Sequence, residues 1–185
     1  MGVAYKNFWS INTDEAVVAG QLRSFLSKNI EIFMPLNAQM KGIDLLAYNH
    51  TNGKAKTIQV KGSRAYEPRK AEVDKHGEGS GTWFMFKREV IDKSVADYFI
   101  FIHYIIEVNV KLGRRTIVPH FVTMPTNILK EQMQNNGYIV KGSRYALYTW
   151  VNPKKKTALG TNNNNIDFTK YLDKSGFEGL MNEIK

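Results

Sequence analysis

The stretch 42-GIDLLAYNHTNGKAKTIQVKG-62 holds two apolar strands on either side of Asn52-Gly53. Asn-Gly is the strongest short-range hairpin signal, because a type I′ turn needs positive φ at both central residues. A two-residue loop places Thr51 opposite Lys54, Leu46 opposite Gln59 and Asp44 opposite Lys61. Directly opposed Cβ atoms lie about 5 Å apart and diagonal ones about 7–8 Å. Asp44, Gln59 and Lys61 are therefore expected to converge on one face, with Ile43, Leu45, Ile58 and Val60 on the other. A bulge shifts that register. Asp44 and Lys61 read equally as a cross-strand ion pair, worth roughly 0–1 kcal/mol if exposed, or as the start of a phosphodiesterase site. In the second reading a carboxylate holds Mg²⁺ through oxygen and the metal polarises a phosphate and acidifies a bound water. The ammonium orients that water or neutralises charge on phosphorus.

Outward from the hairpin, residues 13–29 are predicted to form a helix, capped by Asn12 or Thr13, with Asp14 and Glu15 at its positive end. At 100° per residue Glu15 falls among Val18, Ala19, Leu22 and Leu26, where a carboxylate needs a partner or the edge of the core. A short strand is expected at 30–35, and a mobile loop over 62–82, rich in Gly and charge. Further strands are expected at 83–87, 97–106, 116–124 and 146–151, with a short helix or turn at 88–95. A helix at 126–136 follows Pro125, and one or two helices fill 166–184, with Gly176 as a break. This order predicts an α/β fold with a mixed sheet flanked by helices. The expected arrangement is one domain over 1–185, its core at about 10–125 and a C-terminal strand and helices over 126–185.

The chain of 185 residues carries 26 Lys plus Arg against 17 Asp plus Glu, a net charge of +9. Such an excess favours a polyanionic partner, although a merely basic surface has the same composition. There is no cysteine, which removes disulfide and thiolate chemistry and agrees with a cytoplasmic setting. No signal-peptide run opens the sequence, and the apolar run 98-YFIFIHYIIEV-108 is too short to span a bilayer, so no membrane partner is expected. His103 in that run reads as a hydrogen-bonded core residue. No Ser/His/Asp arrangement, phosphate-binding Gly loop or zinc spacing is visible.

The order Glu15, then Gly42-Ile43-Asp44, then Gln59-Val60-Lys61 resembles the PD-(D/E)XK nuclease superfamily. It is most similar to the branch with Gln in place of the second acidic residue. The resemblance covers roughly the first 105 residues. It implies a restriction-endonuclease-like core of helix, three-strand meander, helix and strand. It also implies a Mg²⁺- or Mn²⁺-dependent endonuclease acting on DNA rather than RNA. By position, Asp44 is then the main metal ligand and Lys61 the catalytic lysine. Gln59 stands where the second acid usually is, the Val60 carbonyl completes the coordination, and Glu15 is the helix acid. Ser63, Arg64, Arg69 and Lys70 follow the catalytic strand and are candidates for phosphate contacts, or for a solvated loop. A two-fold homodimer is compatible with cutting both strands of a duplex. The Gln removes one negative charge from the site, so the alternative is an inactive nucleic-acid-binding module on the same fold.

Overall fold

The computed structural model describes residues 13–36, 42–63, 67–109, 113–135, 139–140, 144–161 and 166–185. Helix α1 spans Thr13–Arg23, shorter than the 13–29 expected from sequence. It ends early because Ser24 turns back on it. Its Oγ donates to the Gln21 carbonyl at 2.7 Å, and the amides of Ser24 and Phe25 bond the carbonyls of Gln21 and Leu22. These i→i+3 bonds tighten and close the last turn.

Strands β1 (Ile30–Phe33), β2 (Leu45–Asn49) and β3 (Ala55–Gly62) form an antiparallel meander. The chain then passes through α2 (Lys70–His76), β4 (Ser80–Lys87) and α3 (Arg88–Asp92). It returns as β5 (Tyr98–Asn109), parallel to β3 with Gln59 beside Phe99 and Lys61 beside Phe101. Strand β6 (Arg114–Pro125) closes a mixed five-stranded sheet of order β1-β2-β3-β5-β6. Helix α4 (Thr126–Asn135) and the short β7 (Ile139–Val140) follow. Then come β8 (Arg144–Asn152), β9 (Thr157–Gly160), β10 (Ile166–Asp167) and α5 (Asp173–Ile184). Strand β4 belongs to a second sheet of order β10-β9-β8-β4.

Strand β5 is apolar from Tyr98 to Ile102 because both its faces are covered there, and towards its end Glu107 and Val108 are exposed. Tyr98, Ile100 and Ile102 enter a core with Val18 and Leu22 of α1 and with Phe177, Leu180 and Ile184 of α5. Phe99, Phe101 and Ile105 enter the other core, with Phe84 and Phe86 of β4 and Tyr145, Leu147 and Val151 of β8. That second core joins residues from 10–125 with residues from 126–185. Among the described residues no helix is long and apolar enough to cross a membrane.

Three expectations are corrected. The stretch 62–82 contains α2 and the start of β4. Helix α2 is held by the Arg69 amide donating to Glu72 Oε2 at 2.8 Å and by Tyr148 Oη donating to Glu72 Oε1 at 3.1 Å. Gly176 does not break the last helix. It lies inside α5, at a place only glycine fits, since an added Cβ would fall 2.1 Å from the Tyr171 carbonyl oxygen.

The hairpin turn is not the two-residue type. Leu45 pairs with Ile58 and Tyr48 with Ala55, and the Asn49 amide bonds the Lys54 carbonyl at 2.9 Å. The loop is therefore His50–Gly53, with Gly53 at φ 73° and Asn52 outside the left-handed region. It is held locally by the Thr51 and Lys54 amides donating to the side-chain oxygens of Asn49 and Asn52, both at 2.9 Å. It is held from a distance by the side-chain amides of Asn49 and Asn52, which both donate to the Ile184 carbonyl at the end of α5, at 3.0 and 3.1 Å. That carbonyl is one of the acceptors a helix end leaves open.

Candidate functional site

The longer loop moves the pairing by two residues. A shift of two keeps every side chain on its face, whereas a shift of one would have reversed them all. Leu45, Ala47, Ile58 and Val60 are buried in the core under α1 and α5. Gln59 and Lys61 stand on the opposite face. The expected Asp44–Lys61 opposition is replaced by a step in the ladder. The Asp44 amide bonds the carbonyl of Ile58, which already faces Leu45, so two residues meet one as in a β-bulge. The Asp44 side chain turns toward β3, where Oδ2 accepts the Val60 amide at 2.7 Å. Among the described residues neither Asp44 nor Lys61 is in an ion pair, so the cross-strand salt bridge is not formed.

Gln59 is 6 % exposed, and its Oε1 is buried with no hydrogen-bond partner. An unmet buried carbonyl oxygen costs about 1–3 kcal/mol relative to a satisfied one. Such orphans mark strain or a site for an absent partner. The residue that carries this one lines open space. Gln59 and Lys61 line a cleft of about 400 Å³ whose other wall is Trp83, Met85, Lys87 and Val90. An adjoining cleft of about 370 Å³ runs from Gln59 past Gly42, Glu89 and Lys93. The far wall is the outer edge of β4, the last strand of its sheet. Sequence reasoning assigned no role to Trp83, Met85 or Lys87. The sequence 83-WFMF-86 is an unbroken apolar run and carries no signal of one; the alternation appears in burial, with Phe84 and Phe86 turned to the core.

The remaining candidates are dispersed. Glu15 is buried on the α1 stripe with Val18 and Leu22, which faces the core on the side of the sheet away from Gln59 and Lys61. Its neighbour Asp14 is the α1 carboxylate set against β3. A Cβ on Gly62 would lie 2.0 Å from Asp14 Oδ2, and Asp14 Oδ1 accepts the Tyr104 hydroxyl at 2.6 Å. Burial, reinforced by that hydrogen bond, pushes the Tyr104 phenol up. Val60 sends its side chain into the core and its amide to Asp44. Ser63 is held by its amide on the Ile102 carbonyl at 3.0 Å, and its Oγ is buried without a partner. Arg69 and Lys70 are exposed at the start of α2. Arg64 lies outside the described residues.

Gln59 lines both clefts and Asp44 lines neither, its carboxylate being seen only against the Val60 amide; a carboxylate and an amide oxygen are the donor types that suit a hard divalent cation. No group of three or more His, Asp or Glu side chains able to hold a metal occurs among the described residues. The histidines add no base at the cleft. His103 is fully buried, bonded to the hydroxyls of Thr82 and Thr149, and burial pushes its imidazole down to about 3. His120 sits between Asp173 and Glu107, at 2.9 and 3.6 Å.

The chain matches no protein-family model, and no curated protein or solved structure is significantly similar to it.

Proposed function

We propose that this protein is a metal-dependent endonuclease that hydrolyses DNA phosphodiester bonds, on a core of the PD-(D/E)XK type. The observation that carries the reading is the pair Gln59 and Lys61 on one cleft wall: a buried amide oxygen without a donor beside an ammonium that has no counter-ion among the described residues. The element order supports it, with helix α1, the β1-β2-β3 meander, and β5 returning parallel to β3 after a crossover that contains α3.

Asp44 and Gln59 would hold Mg²⁺ or Mn²⁺ through oxygen. A bound divalent ion supplies Lewis acidity toward the phosphate and a lowered water pKa. Lys61 places a positive charge where the attacked phosphate gathers negative charge, and orients the attacking water. The hydrogen bond from Val60 to Asp44 Oδ2 fixes that carboxylate and leaves Oδ1 for a ligand. Phe99 and Phe101, beside Gln59 and Lys61 on β5, make the floor of the face rigid.

One observation favours the binding-module alternative. Gln59 is neutral, and the described residues gather no third carboxylate or imidazole at the site. Cleavage of labelled duplex, single-stranded and branched DNA, titrated with Mg²⁺ and Mn²⁺, decides between the two. Metal-dependent cutting that disappears in Lys61→Ala is the expected result. Cutting that is as fast in Lys61→Ala as in the wild type refutes the assignment. Salt-sensitive binding with no cutting establishes the binding module instead.

A further inference from the structure

The outer face of β4 places an exposed aromatic ring on the same cleft as Gln59 and Lys61. Trp83 is 60 % exposed and Met85 49 %, although both sit in a regular strand whose alternate residues fill the core. Their cross-strand neighbours continue the face. Tyr148 pairs with Trp83 and meets its ring nearly at right angles, with centroids 6.4 Å apart. Arg144 pairs with Lys87, and its Nη1 lies 3.4 Å from Met85 Sδ. The two clefts bring Lys61, Lys87 and Lys93 together with a single acid, Glu89, and none of these four is in an ion pair among the described residues. The ligand that fits is a polyanion that also presents flat apolar faces.

We propose that this face binds unpaired nucleotides, with Trp83 stacking on a base while Lys61, Lys87 and Arg144 meet the flanking phosphates. This rests on the reading of the cleft as a nucleic-acid site and gives its substrate class: DNA with a single-stranded segment. Inside a duplex each base face is covered by its neighbours and only base edges reach the grooves, so open faces are left on the two terminal pairs alone. An exposed indole therefore gains nothing from the interior of paired DNA, whereas any unstacked base along a single strand can lie on it. The lysines bind both forms through phosphate, so the ring, not the charge, supplies the discrimination.

The test is fluorescence anisotropy in EDTA, without divalent metal, using a labelled single-stranded oligodeoxynucleotide and the blunt duplex of the same sequence. Trp83→Ala is expected to weaken single-strand binding roughly 5- to 150-fold, the range that loss of one base–aromatic stack gives. Duplex binding should change less than about twofold, and Trp83→Phe should restore most of the single-strand affinity. Because Trp83 is exposed, its variants should keep the wild-type circular dichroism. Equal losses on both DNAs, no loss on the single strand, or a wild type that does not bind the single strand overturns the proposal. The outcome is separate from catalysis. The Trp83 signature without any cleavage sinks the nuclease reading alone, and Lys61-dependent cleavage without the Trp83 signature sinks this proposal alone.

Discussion

Gln59→Met separates stability from function at one position. The wild-type side chain holds a buried oxygen with no donor, a loss of about 1–3 kcal/mol against a satisfied group. Methionine has similar length and no polar end, and it would lie beside Phe99 and Val90. The unliganded variant should be as stable as the wild type or about 1–2 kcal/mol more stable. At about 2–4 °C per kcal/mol for a chain of this size, that is a rise in Tm of up to roughly 8 °C. Metal-dependent cleavage should be lost at the same time, the expected pattern where a site is kept at the expense of stability. Gln59→Glu should behave in the opposite way. A buried carboxylate near Asp44 destabilises the metal-free protein, and Mg²⁺ recovers about 2.7 kcal/mol when present at 100 times its Kd, or roughly 5–10 °C. Differential scanning fluorimetry with and without Mg²⁺, beside the cleavage assay, measures all three proteins. A Tm several degrees lower in Gln59→Met would refute the reasoning, because it would show that Oε1 serves the fold. So would a Gln59→Glu protein whose Tm ignores Mg²⁺.

Asp44→Asn keeps an acceptor for the Val60 amide and removes the charge, so cleavage should disappear with little change in denaturation midpoint. Asp44→Ala should lose cleavage and also about 1–3 kcal/mol, read by urea unfolding. The buried His103 and the half-buried His120 should titrate differently by NMR. His103, held down near 3, should show no titration between pH 5 and 8. For His120, burial lowers the pKa, but hydrogen bonds and charges from Asp173 and Glu107 outweigh it, and the net shift is upward from 6.5. A raised folded pKa means that the stabilisation from His120 is fully present below 6.5 and is lost as pH rises through the folded value. The unfolding free energy of the wild type should therefore fall over that window relative to His120→Gln. A wild-type and variant pair with parallel pH profiles would count against the Asp173 and Glu107 contacts.

Most elements were legible in the sequence because their apolar periodicity is unmistakable. The hairpin 45–62, the doubly covered β5 and the helix after Pro125 all appear where pattern places them. The stretch 62–82 was misread because a short helix with no buried residue, held by Glu72 and Tyr148, has no apolar stripe of its own. The hairpin loop was misread for a related reason. Asn52-Gly53 has the chemistry of a two-residue turn, yet Asn49 and Asn52 hold a longer one, accepting the Thr51 and Lys54 amides within the loop and donating to the end of α5, some 130 residues away.

For the candidate site, the residue types and their alternation along β3 were enough to put Gln59 and Lys61 on one face, since a register shift of two leaves the face unchanged. Local sequence also determined the basic charge and the absence of thiol chemistry. Only the tertiary structure decided that Asp44 bonds the Val60 amide instead of pairing with Lys61, and that the Asp14 carboxylate lies against Gly62. It alone brought Trp83 and Lys87 across from Gln59, because β4 leaves the first sheet to pair with β8, and strand partners distant in the chain are chosen by how two sheets cover each other's apolar faces.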